Sequence, residues 1–323
     1  MTFRAAIIGL GNIGMGRVPQ RTGASAVLSH ADALQAHGSF DLAAGVDTDI
    51  RRRKDFSRRF GVEAFESVSQ MAISESPDLV VLSVPTEDHS SVLRETLQTL
   101  GPSFVLLEKP TSRSSQDDEA ISALSADSGA TIVINYLRRV DPSFLAVKKL
   151  IASNKLLPPY EGICWYTNGL YNSASHFLDL LFGWFGEFHC SSITSLQSRP
   201  NGDFDAEFTV IGEDVKVRFV PLDEGNFSHA SLELFSSTGR LVYDRGGEKV
   251  STSFVGTHFL HPDLLTLTPN EVVLPSFPSE LMLRVYDDIH NQMAGLGGSL
   301  PSLNEALRVN ELLHSVAKRT RGN

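Results

Sequence analysis

Three glycines near the start of this chain have the spacing that suits a bound pyrophosphate. The run Gly9-Leu10-Gly11-Asn12-Ile13-Gly14 follows a short apolar stretch, Ala5–Gly9. In such a run the first glycine makes a tight turn, the second lets backbone approach a phosphate, and the third lets a helix pack closely on the strand. The following helix then offers free N–H groups and a partial positive charge to the phosphate. An isolated run of this kind usually binds nothing, but a position directly after the first strand favours a dinucleotide site.

A carboxylate in the next part of the chain indicates which dinucleotide is bound. Asp47 ends a second apolar stretch, Leu42–Val46. A carboxylate at this place pairs with the ribose diol of NAD and repels the 2′-phosphate of NADP. The alternative is that Asp47 is only a turn residue. Because the arginines Arg51–Arg53 follow closely and could reach a phosphate, the sequence favours NAD and leaves NADP open.

The distance between the glycine run and Asp47 exceeds the usual spacing of about 20 residues. The extra length falls in Met15–Leu28, where Pro19 and Gly23 interrupt any helical pattern. We interpret this segment as an inserted loop that covers the cofactor or part of the substrate.

A lysine follows a third group of apolar residues, in the triplet Glu108-Lys109-Pro110. An ammonium group beside a reacting carbon can polarise a carbonyl or stabilise an alkoxide. For proton transfer near neutral pH, its pKa has to fall from about 10.4 through burial or neighbouring positive charge. Glu108 is expected to make structural hydrogen bonds, and Pro110 to fix the turn. A surface strand end without chemistry is the alternative.

Alternating strands and helices must position these groups. Five runs have the composition of strands buried on both faces: Ala5–Gly9, Leu42–Val46, Leu79–Val84, Phe104–Leu107 and Ile132–Tyr136. Helical patterns separate them at Asp49–Phe60, Glu87–Leu100 and Ser115–Ala126. Such alternation predicts the α/β class, with a doubly wound parallel sheet and right-handed crossovers.

The pattern changes after about Leu137. A helix is predicted over Asp141–Asn154 and another over Glu305–Lys318, and no assignment is made for Thr257–Ser279. Between the helices, apolar and polar residues alternate with period two, as in Phe204–Val210. This alternation predicts an antiparallel sheet with one covered face. We therefore predict a dinucleotide-binding Rossmann domain in residues 1–136 and a substrate-binding and oligomerisation domain in residues 137–323.

Composition excludes several other classes. The chain has 323 residues and a formal net charge of −10, which argues against nucleic-acid or anionic-membrane partners. No signal-peptide core or membrane-spanning stretch is found. Cys164 and Cys190 give neither a disulfide framework nor a metal spacing, and the histidines form no recognisable metal site. We expect a cytoplasmic protein without a bound metal.

Taken together, these motifs resemble the Gfo/Idh/MocA family of glucose–fructose oxidoreductase and inositol dehydrogenase. The matching pieces are the glycine run, Val46-Asp47, Val84-Pro85-Thr86 with His89, Glu108-Lys109-Pro110, Arg138-Arg139 with Pro142, and Ser175-His176-Phe177-Leu178-Asp179. The resemblance implies an N-terminal Rossmann domain and a C-terminal α+β domain with a large open, mostly antiparallel sheet, through which dimers or tetramers commonly form. It also implies NAD(P)-dependent hydride transfer to a sugar, cyclitol or nucleotide-linked sugar.

The resemblance assigns catalysis to Lys109 and His176. A lone histidine in an apolar stretch is usually a buried structural residue, but the family places a carboxylate four residues before it on one helix face. Here that position is Asn172, which can orient a hydroxyl and cannot take a proton. Asp179, three residues after His176, is a candidate orienting partner. The departure also leaves open a regulatory protein that senses the dinucleotide, or an enzyme with permanently bound cofactor.

Further contacts are expected around these residues. The predicted cofactor contacts are Gly9, Gly11, Asn12, Ile13, Gly14, Asp47, Pro85, Thr86, His89, Glu108 and Lys109. The amides, hydroxyls and aromatic rings near the catalytic residues suit a polyhydroxylated ring. The predicted substrate contacts are Asn135, Tyr136, Arg138, Trp165, Tyr171, Asn172, His176 and Asp179. For Trp165, packing within the sheet is the alternative.

Overall fold

The computed structural model describes residues 2–16, 27–223 and 227–318, and the chain divides into two compact units. The first unit contains Met1–Val140 and Ser279–Leu307, and the second contains Asp141–Pro278 and Arg308–Asn323. The sequence did not indicate that residues 279–307 return to the first unit. The functional roles of the predicted domains stay predictions. Most of the loop predicted at Met15–Leu28 lies outside the described residues.

The first unit is built on a six-stranded parallel sheet. Its elements are β1 (Phe3–Ile8), α1 (His30–Ala36), β2 (Phe40–Val46), α2 (Ile50–Phe60), β3 (Glu63–Phe65), α3 (Val68–Met71), β4 (Leu79–Leu82), α4 (His89–Thr99), β5 (Phe104–Leu107), α5 (Ser115–Ser128) and β6 (Thr131–Ile134). The strand order β3-β2-β1-β4-β5-β6 is that of the doubly wound dinucleotide-binding fold. The predicted fold class is confirmed.

Local sequence explains where several of these helices begin and end. Asp49 caps α2 with its side chain, and Gly61 ends it in the left-handed conformation at φ 69°. Ser114 caps α5 in the same way, by accepting a hydrogen bond from the Asp117 amide. Both N-caps are residue types that favour this position. The helix α1 was not predicted, although Ser29 caps its start.

The second unit carries a nine-stranded sheet. Its elements are α6 (Pro142–Ala152), β7 (Tyr160–Tyr166), α7 (Ser175–Phe185), β8 (His189–Ser198), β9 (Phe204–Ile211), β10 (Val215–Pro221), β11 (Ala230–Ser236), β12 (Gly239–Asp244), β13 (Lys249–Thr257), β14 (Leu265–Leu267) and β15 (Val272–Leu274). Strands pair in the order β14-β13-β12-β11-β7-β10-β9-β8, with β15 on β13. Only the β10–β7 pair is parallel among the described pairs, so the predicted mostly antiparallel sheet is confirmed.

One face of this sheet is covered and the other is open. Alternate residues of β9 and β10, such as Phe208 and Phe219, are fully buried on the covered face. Helix α7 packs there, since Phe177 meets Tyr243 of β12 edge-on at 5.8 Å between ring centroids. The unassigned segment Thr257–Ser279 forms the short strands β14 and β15.

Two helices complete the chain, α8 (Leu281–Met293) and α9 (Leu303–Lys318). Helix α8 belongs to the first unit, where Met282, Val285, Tyr286 and Ile289 enter the core beside β1 and β2. None of the helices in the described ranges is long and apolar enough to cross a bilayer.

Candidate active site

The glycine run forms a turn that only glycine can make at two of its positions. Gly9 has φ +98°, and a Cβ there would lie 2.6 Å from the Ser83 backbone. A Cβ on Gly14 would overlap the carbonyl oxygen of Gly9. At Gly11, by contrast, an added Cβ would meet no atom within 4 Å, so this side of the turn faces open space. The three glycines therefore have the separate roles that a phosphate-binding turn requires.

The open space belongs to a cleft of about 760 Å³ at the carboxyl ends of β1, β2 and β4. It lies where the strand order reverses between β1 and β4, which is the place where doubly wound sheets bind ligands. Six predicted cofactor residues line it: Gly9, Gly11, Asn12, Ile13, Asp47 and Pro85. The other five predicted cofactor residues, Gly14, Thr86, His89, Glu108 and Lys109, are not part of this lining.

Asp47 is held rigidly at the edge of the cleft. Its Oδ2 accepts a hydrogen bond from the Leu10 amide at 2.9 Å, and its Oδ1 accepts one from the Asp49 amide at 2.8 Å. The carboxylate thus links the end of β2 to the glycine turn. The two bonds fix the orientation of the carboxylate in the lining of the cleft.

The three arginines after Asp47 have different partners. Arg51 binds the side chain of Asp49, and this bond lowers the pKa of Asp49 to about 2. Arg53 donates to the backbone carbonyl of Asp47 at 2.7 Å. Only Arg52 of the three lines the cleft, and it lies 3.3 Å from Asp47 Oδ2. Arg52 is therefore the arginine that could reach a cofactor.

Glu108, which precedes Lys109 in the chain, belongs to a buried hydrogen-bond network. Its Oε1 lies 3.0 Å from His30 Nε2 and accepts a bond from the Asn135 amide at 2.6 Å. His30 Nδ1 in turn lies 2.9 Å from the hydroxyl of Tyr286 on α8. Burial alone raises the pKa of Glu108, but the bonds from His30 and Asn135 outweigh it, and the net shift is downward. Glu108 is therefore ionised at neutral pH.

Sequence reasoning missed His30 and Tyr286. They lie 78 and 178 positions from Glu108 in the chain, so no local spacing connects them. The one usable signal was Ser29, whose pattern Ser29-x-x-Asp32 suits the first turn of a helix. It would have placed His30 on α1.

Lys109 itself follows β5 and is half-buried. Its backbone N–H donates to Glu108 Oε2 at 3.2 Å, and the Lys109–Pro110 peptide is cis. Since β5 runs parallel to β4, Lys109 lies at the same edge of the sheet as the glycine turn. Its catalytic role stays a prediction.

His89 is a buried residue of the first unit, with ring nitrogens 3.0 Å from the Thr111 carbonyl and 3.2 Å from the Val84 carbonyl. Burial lowers its pKa, so the ring is neutral at neutral pH. It joins the loop after β4 to the loop after Lys109. In this position His89 can stabilise both loops. A direct contact between His89 and the cofactor stays a prediction.

The residues predicted after β6 are mostly buried. Asn135 and Tyr136 are fully buried in the first unit, and Asn135 is engaged by Glu108. Arg139 is buried beside Glu305, at 3.7 Å, while Arg138 is half-buried. Substrate contact by Asn135, Tyr136 and Arg138 stays a prediction. In the structure the Asn135 side chain donates a hydrogen bond to Glu108.

In the second unit, a wide turn with i to i−5 hydrogen bonds precedes α7. The amides of Ala174 and Ser175 bond to the carbonyls of Gly169 and Leu170, and the Ser175 hydroxyl bonds to the Tyr171 carbonyl at 2.7 Å. Wide turns of this kind occur frequently at functional sites. Here the turn carries Asn172.

A buried carboxylate holds this turn in place. Asp203 is fully buried and accepts hydrogen bonds from the amides of Tyr171 at 2.9 Å, Asn172 at 3.0 Å and Phe204 at 2.7 Å. A Cβ on Gly169, which has φ +91°, would overlap an oxygen of Asp203. Asp203 and Gly169 were not singled out in the sequence.

The predicted residues around the turn differ in exposure. Asn172 is exposed, His176 is 9% exposed, and Asp179 is fully buried. Tyr171 is buried, and its hydroxyl lies 2.8 Å from His314 Nδ1. Asn172 and His176 are thus the two predicted catalytic residues of this unit, on the wide turn and in the first turn of α7 respectively.

Trp165 lies on a different surface from α7. It pairs with Ser231 in the β7–β11 register and points to the open face, whereas its neighbours Cys164 and Tyr166 are buried on the face that α7 covers. The structure therefore does not bring Trp165 together with His176 within this unit. In the part of the chain that the structure describes, no group of three or more His, Cys, Asp or Glu side chains could hold a metal ion.

Comparison with known proteins defines the class of the first unit. Residues 3–136 match the model of an oxidoreductase family with an NAD-binding Rossmann fold. This match agrees with the cleft geometry and confirms the predicted NAD(P) cofactor. The family of this model is Gfo/Idh/MocA, and the match covers less than half of the chain.

Curated relatives match over part of their length. Inositol 2-dehydrogenase from Rubrobacter xylanophilus is 30% identical over 128 residues, which are 39% of this chain and 36% of that protein. Inositol 2-dehydrogenase from Rhizobium meliloti is 26% identical over 156 residues, covering 48% and 42%. The chain thus spans less than half the length of these two relatives.

Solved structures resemble the whole chain. An oxidoreductase from Agrobacterium radiobacter, crystallised with NAD+, L-tartaric acid and magnesium, has a TM-score of 0.76 at 15% identity, covering 100% of this chain and 97% of that one. A 3-ketoreductase from Actinomadura kijaniata, in complex with NADP and TDP-benzene, has a TM-score of 0.77 at 17% identity, covering 98% and 97%. At these identities the likeness establishes the fold.

Proposed function

We propose that this protein is an NAD(P)-dependent oxidoreductase that transfers a hydride between nicotinamide and a hydroxyl or keto carbon of a sugar, cyclitol or nucleotide-linked sugar. The cleft at the β1–β4 reversal, with its glycine turn and Asp47, is the observation that carries the proposal. The substrate class is supported by relatives named as inositol dehydrogenases. Their names favour an enzyme over the regulatory alternative.

The residues of the cleft fit the dinucleotide that the family implies. When bound, this cofactor supplies the site that accepts or donates the hydride. Gly11 leaves room for a phosphate against the backbone, since an added side chain would enter the cleft there. Asp47 presents two fixed oxygens to a ribose. Both contacts would be made by groups that line the cleft.

Proton transfer is assigned to Lys109 and His176, with Asn172 as an orienting residue. Lys109 donates a hydrogen bond to the reacting oxygen and stabilises negative charge on it. His176 takes the hydroxyl proton during oxidation, and Asn172 orients the hydroxyl through its exposed amide. Because Asn172 cannot accept a proton, the acid–base work falls on Lys109 and His176.

The cofactor preference proposed is NAD. Asp47 places negative charge where NADP carries its 2′-phosphate, and only Arg52 of the three arginines lies in the cleft to oppose it. The pairing of Arg52 with Asp47 reduces the positive charge left for a phosphate. NAD is therefore expected to bind more tightly than NADP.

A substrate screen tests the proposal. The purified protein is incubated with NAD or NADP and a panel of inositols, hexoses and nucleotide sugars, and the reduced-nicotinamide absorbance is followed. With the best substrate, Lys109→Ala is expected to lose about 100-fold or more of the turnover. Lys148→Ala, an exposed lysine on α6, is the matched control and retains it. Most of the turnover surviving in Lys109→Ala would contradict the proposal.

The predicted homo-oligomer and cytoplasmic location remain part of the proposal. Support for contact between copies comes from the open face of the nine-stranded sheet, where Trp165 is 37% and Phe235 is 46% exposed. Sedimentation analysis of the wild-type protein and Trp165→Glu tests this: a dimer that dissociates in the variant is expected, and a wild-type monomer contradicts it.

A further inference from the structure

We infer that His30, held by Tyr286, is a positioning residue that fixes the carboxylate of Glu108 and with it the start of the loop that carries Lys109. No role in the reaction has been assigned above to either His30 or Tyr286. For its kinetic consequence the inference rests on the proposed function, in which Lys109 acts on the reacting oxygen.

The network joins three separate parts of the first unit. His30 is the first residue of α1, Glu108 directly follows β5, and Tyr286 lies in the middle of α8. His30 and Tyr286 are both fully buried, and the Glu108 side chain is 12% exposed. The return of residues 279–307 to the first unit is what brings Tyr286 to His30.

The protonation of Glu108 and Tyr286 limits the bonds that each can make. Glu108 is ionised, so it only accepts hydrogen bonds, and the group that faces it on His30 has to be a protonated Nε2. Burial, and next the charge of Glu108, raise the pKa of Tyr286 well above its ordinary value, so its hydroxyl keeps its proton. That hydroxyl lies 2.9 Å from Nδ1 of His30.

These bonds restrict Glu108 from one side while its own loop restricts it from the other. Oε1 accepts hydrogen bonds from His30 and from the Asn135 side chain, and Oε2 accepts one from the backbone N–H of Lys109. Rotation of the carboxylate would therefore break a bond to the first peptide of the lysine loop. A displacement of about 1 Å at a reacting group can cost about 100-fold in rate. The network fixes the lysine loop against such a displacement.

A measurement without cofactor or substrate tests the network first. Protein labelled with ¹⁵N in histidine is expected to show His30 with a protonated Nε2. Tyr286→Phe removes only the hydroxyl, so the Nδ1 signal is expected to shift while Nε2 stays protonated. An unprotonated Nε2, or a His30 signal that does not respond to Tyr286→Phe, would overturn the inference. This result does not depend on turnover, so it decides the network even if no polyol is oxidised and the proposed function fails.

Two substitutions at His30 then separate positioning from general stability. In Gln the amide nitrogen can take the place of Nε2 and still donate to Glu108, whereas Asn is too short to reach it. His30→Asn is expected to lower kcat about 10- to 100-fold, with KM and cofactor Kd within about threefold. His30→Gln is expected to recover most of that loss. Equal losses in both variants, or no loss in either, would overturn the positioning role.

A double variant connects the effect to Lys109. If His30 acts through the lysine loop, His30→Asn is expected to add little to the loss already caused by Lys109→Ala, because the two changes remove the same contribution. Additive losses would overturn the inference. Full turnover in Lys109→Ala alone would instead contradict the proposed function.

Discussion

In the first unit the candidate cofactor residues are held mainly by backbone, whereas the candidate acid–base residues of the second unit depend on one buried carboxylate. The turn at Gly9 and Gly14 is made by main-chain atoms packed against β4. The wide turn that carries Asn172 is tied to Asp203 by hydrogen bonds to amides. Backbone constraints of the first kind produce a recognisable sequence motif, because few residue types satisfy them. A single side-chain anchor of the second kind leaves no such motif.

The largest effect is expected at the glycine turn. Gly14→Ala places a Cβ onto the carbonyl oxygen of Gly9, so the turn has to move and the free energy of unfolding is expected to fall by about 1–3 kcal/mol or more. Cofactor binding should be lost with it. Thermal unfolding and a cofactor titration measure the two effects.

Gly11→Ala is the matched variant, because its Cβ meets no protein atom within 4 Å. Its unfolding should match the wild type, while its cofactor affinity falls at least about tenfold, or about 1.4 kcal/mol. If Gly11→Ala bound the cofactor normally, the phosphate would not lie against this turn.

The next effect concerns cofactor choice. Asp47→Ser removes the charge that faces the ribose and frees Arg52, so NAD affinity is expected to fall about 10- to 100-fold while NADP affinity falls less or rises. Isothermal titration with both cofactors checks it. Asp49→Ser is the control, since it keeps a good N-cap on α2 and lies outside the cleft lining. An unchanged NAD-to-NADP ratio in Asp47→Ser would remove Asp47 as the specificity residue.

A smaller effect is expected in the second unit. Asp203→Asn keeps the size of the side chain but loses its charge and one acceptor oxygen. The free energy of unfolding should fall by about 1–3 kcal/mol, and turnover should fall with cofactor affinity unchanged. Denaturant titration and kinetics provide the measurements. Asp205→Asn, which removes a more exposed partner of Arg199, serves as the control. Equal effects in both variants would show that Asp203 has no specific role in stabilising the turn.

The smallest effect is the dependence of stability on pH. Burial lowers the pKa of His89, so its contribution is complete above about 6.5 and is lost as the pH falls toward the folded value. The lowered pKa of Glu108 adds a contribution that is complete above about 4.3 and is lost below it. Urea titrations over this range should show stability falling on acidification, by at most about 1.4 kcal/mol per pH unit for each group. His89→Gln should remove the pH dependence of stability in the His89 range only and leave the Glu108 range unchanged. An unchanged pH dependence in the His89 range would contradict the assignment.

Much of the first unit could be predicted from the sequence. Strands such as Leu79–Leu82 are fully buried, so their continuous apolar composition identified them. The helix caps Asp49 and Ser114 have residue types that are typical of N-caps, because capping is a local interaction. The family resemblance was confirmed on these same residues.

Other features could not be predicted, for physical reasons. In the sequence, α1 begins 16 positions after Gly14, so the motif at the glycine turn gave no indication of a helix at His30. The pairing of His30 with Tyr286 spans 256 positions and depends on the return of the chain to the first unit. The wide turn before α7 follows from bonds to Asp203, which lies 31 positions after Asn172. The alternation in β7 could not tell which face of the sheet Trp165 would occupy.

Deuterium transfer tests the central claim most directly. A polyol carrying deuterium on its ring carbons is incubated with the protein and NAD+, and the nicotinamide product is analysed by mass spectrometry. The account predicts deuterium in the reduced cofactor with the wild-type protein, and a loss of about 100-fold or more with Lys109→Ala. Tight NAD+ binding without label transfer from any substrate of the panel, or equal transfer by Lys109→Ala, would contradict it.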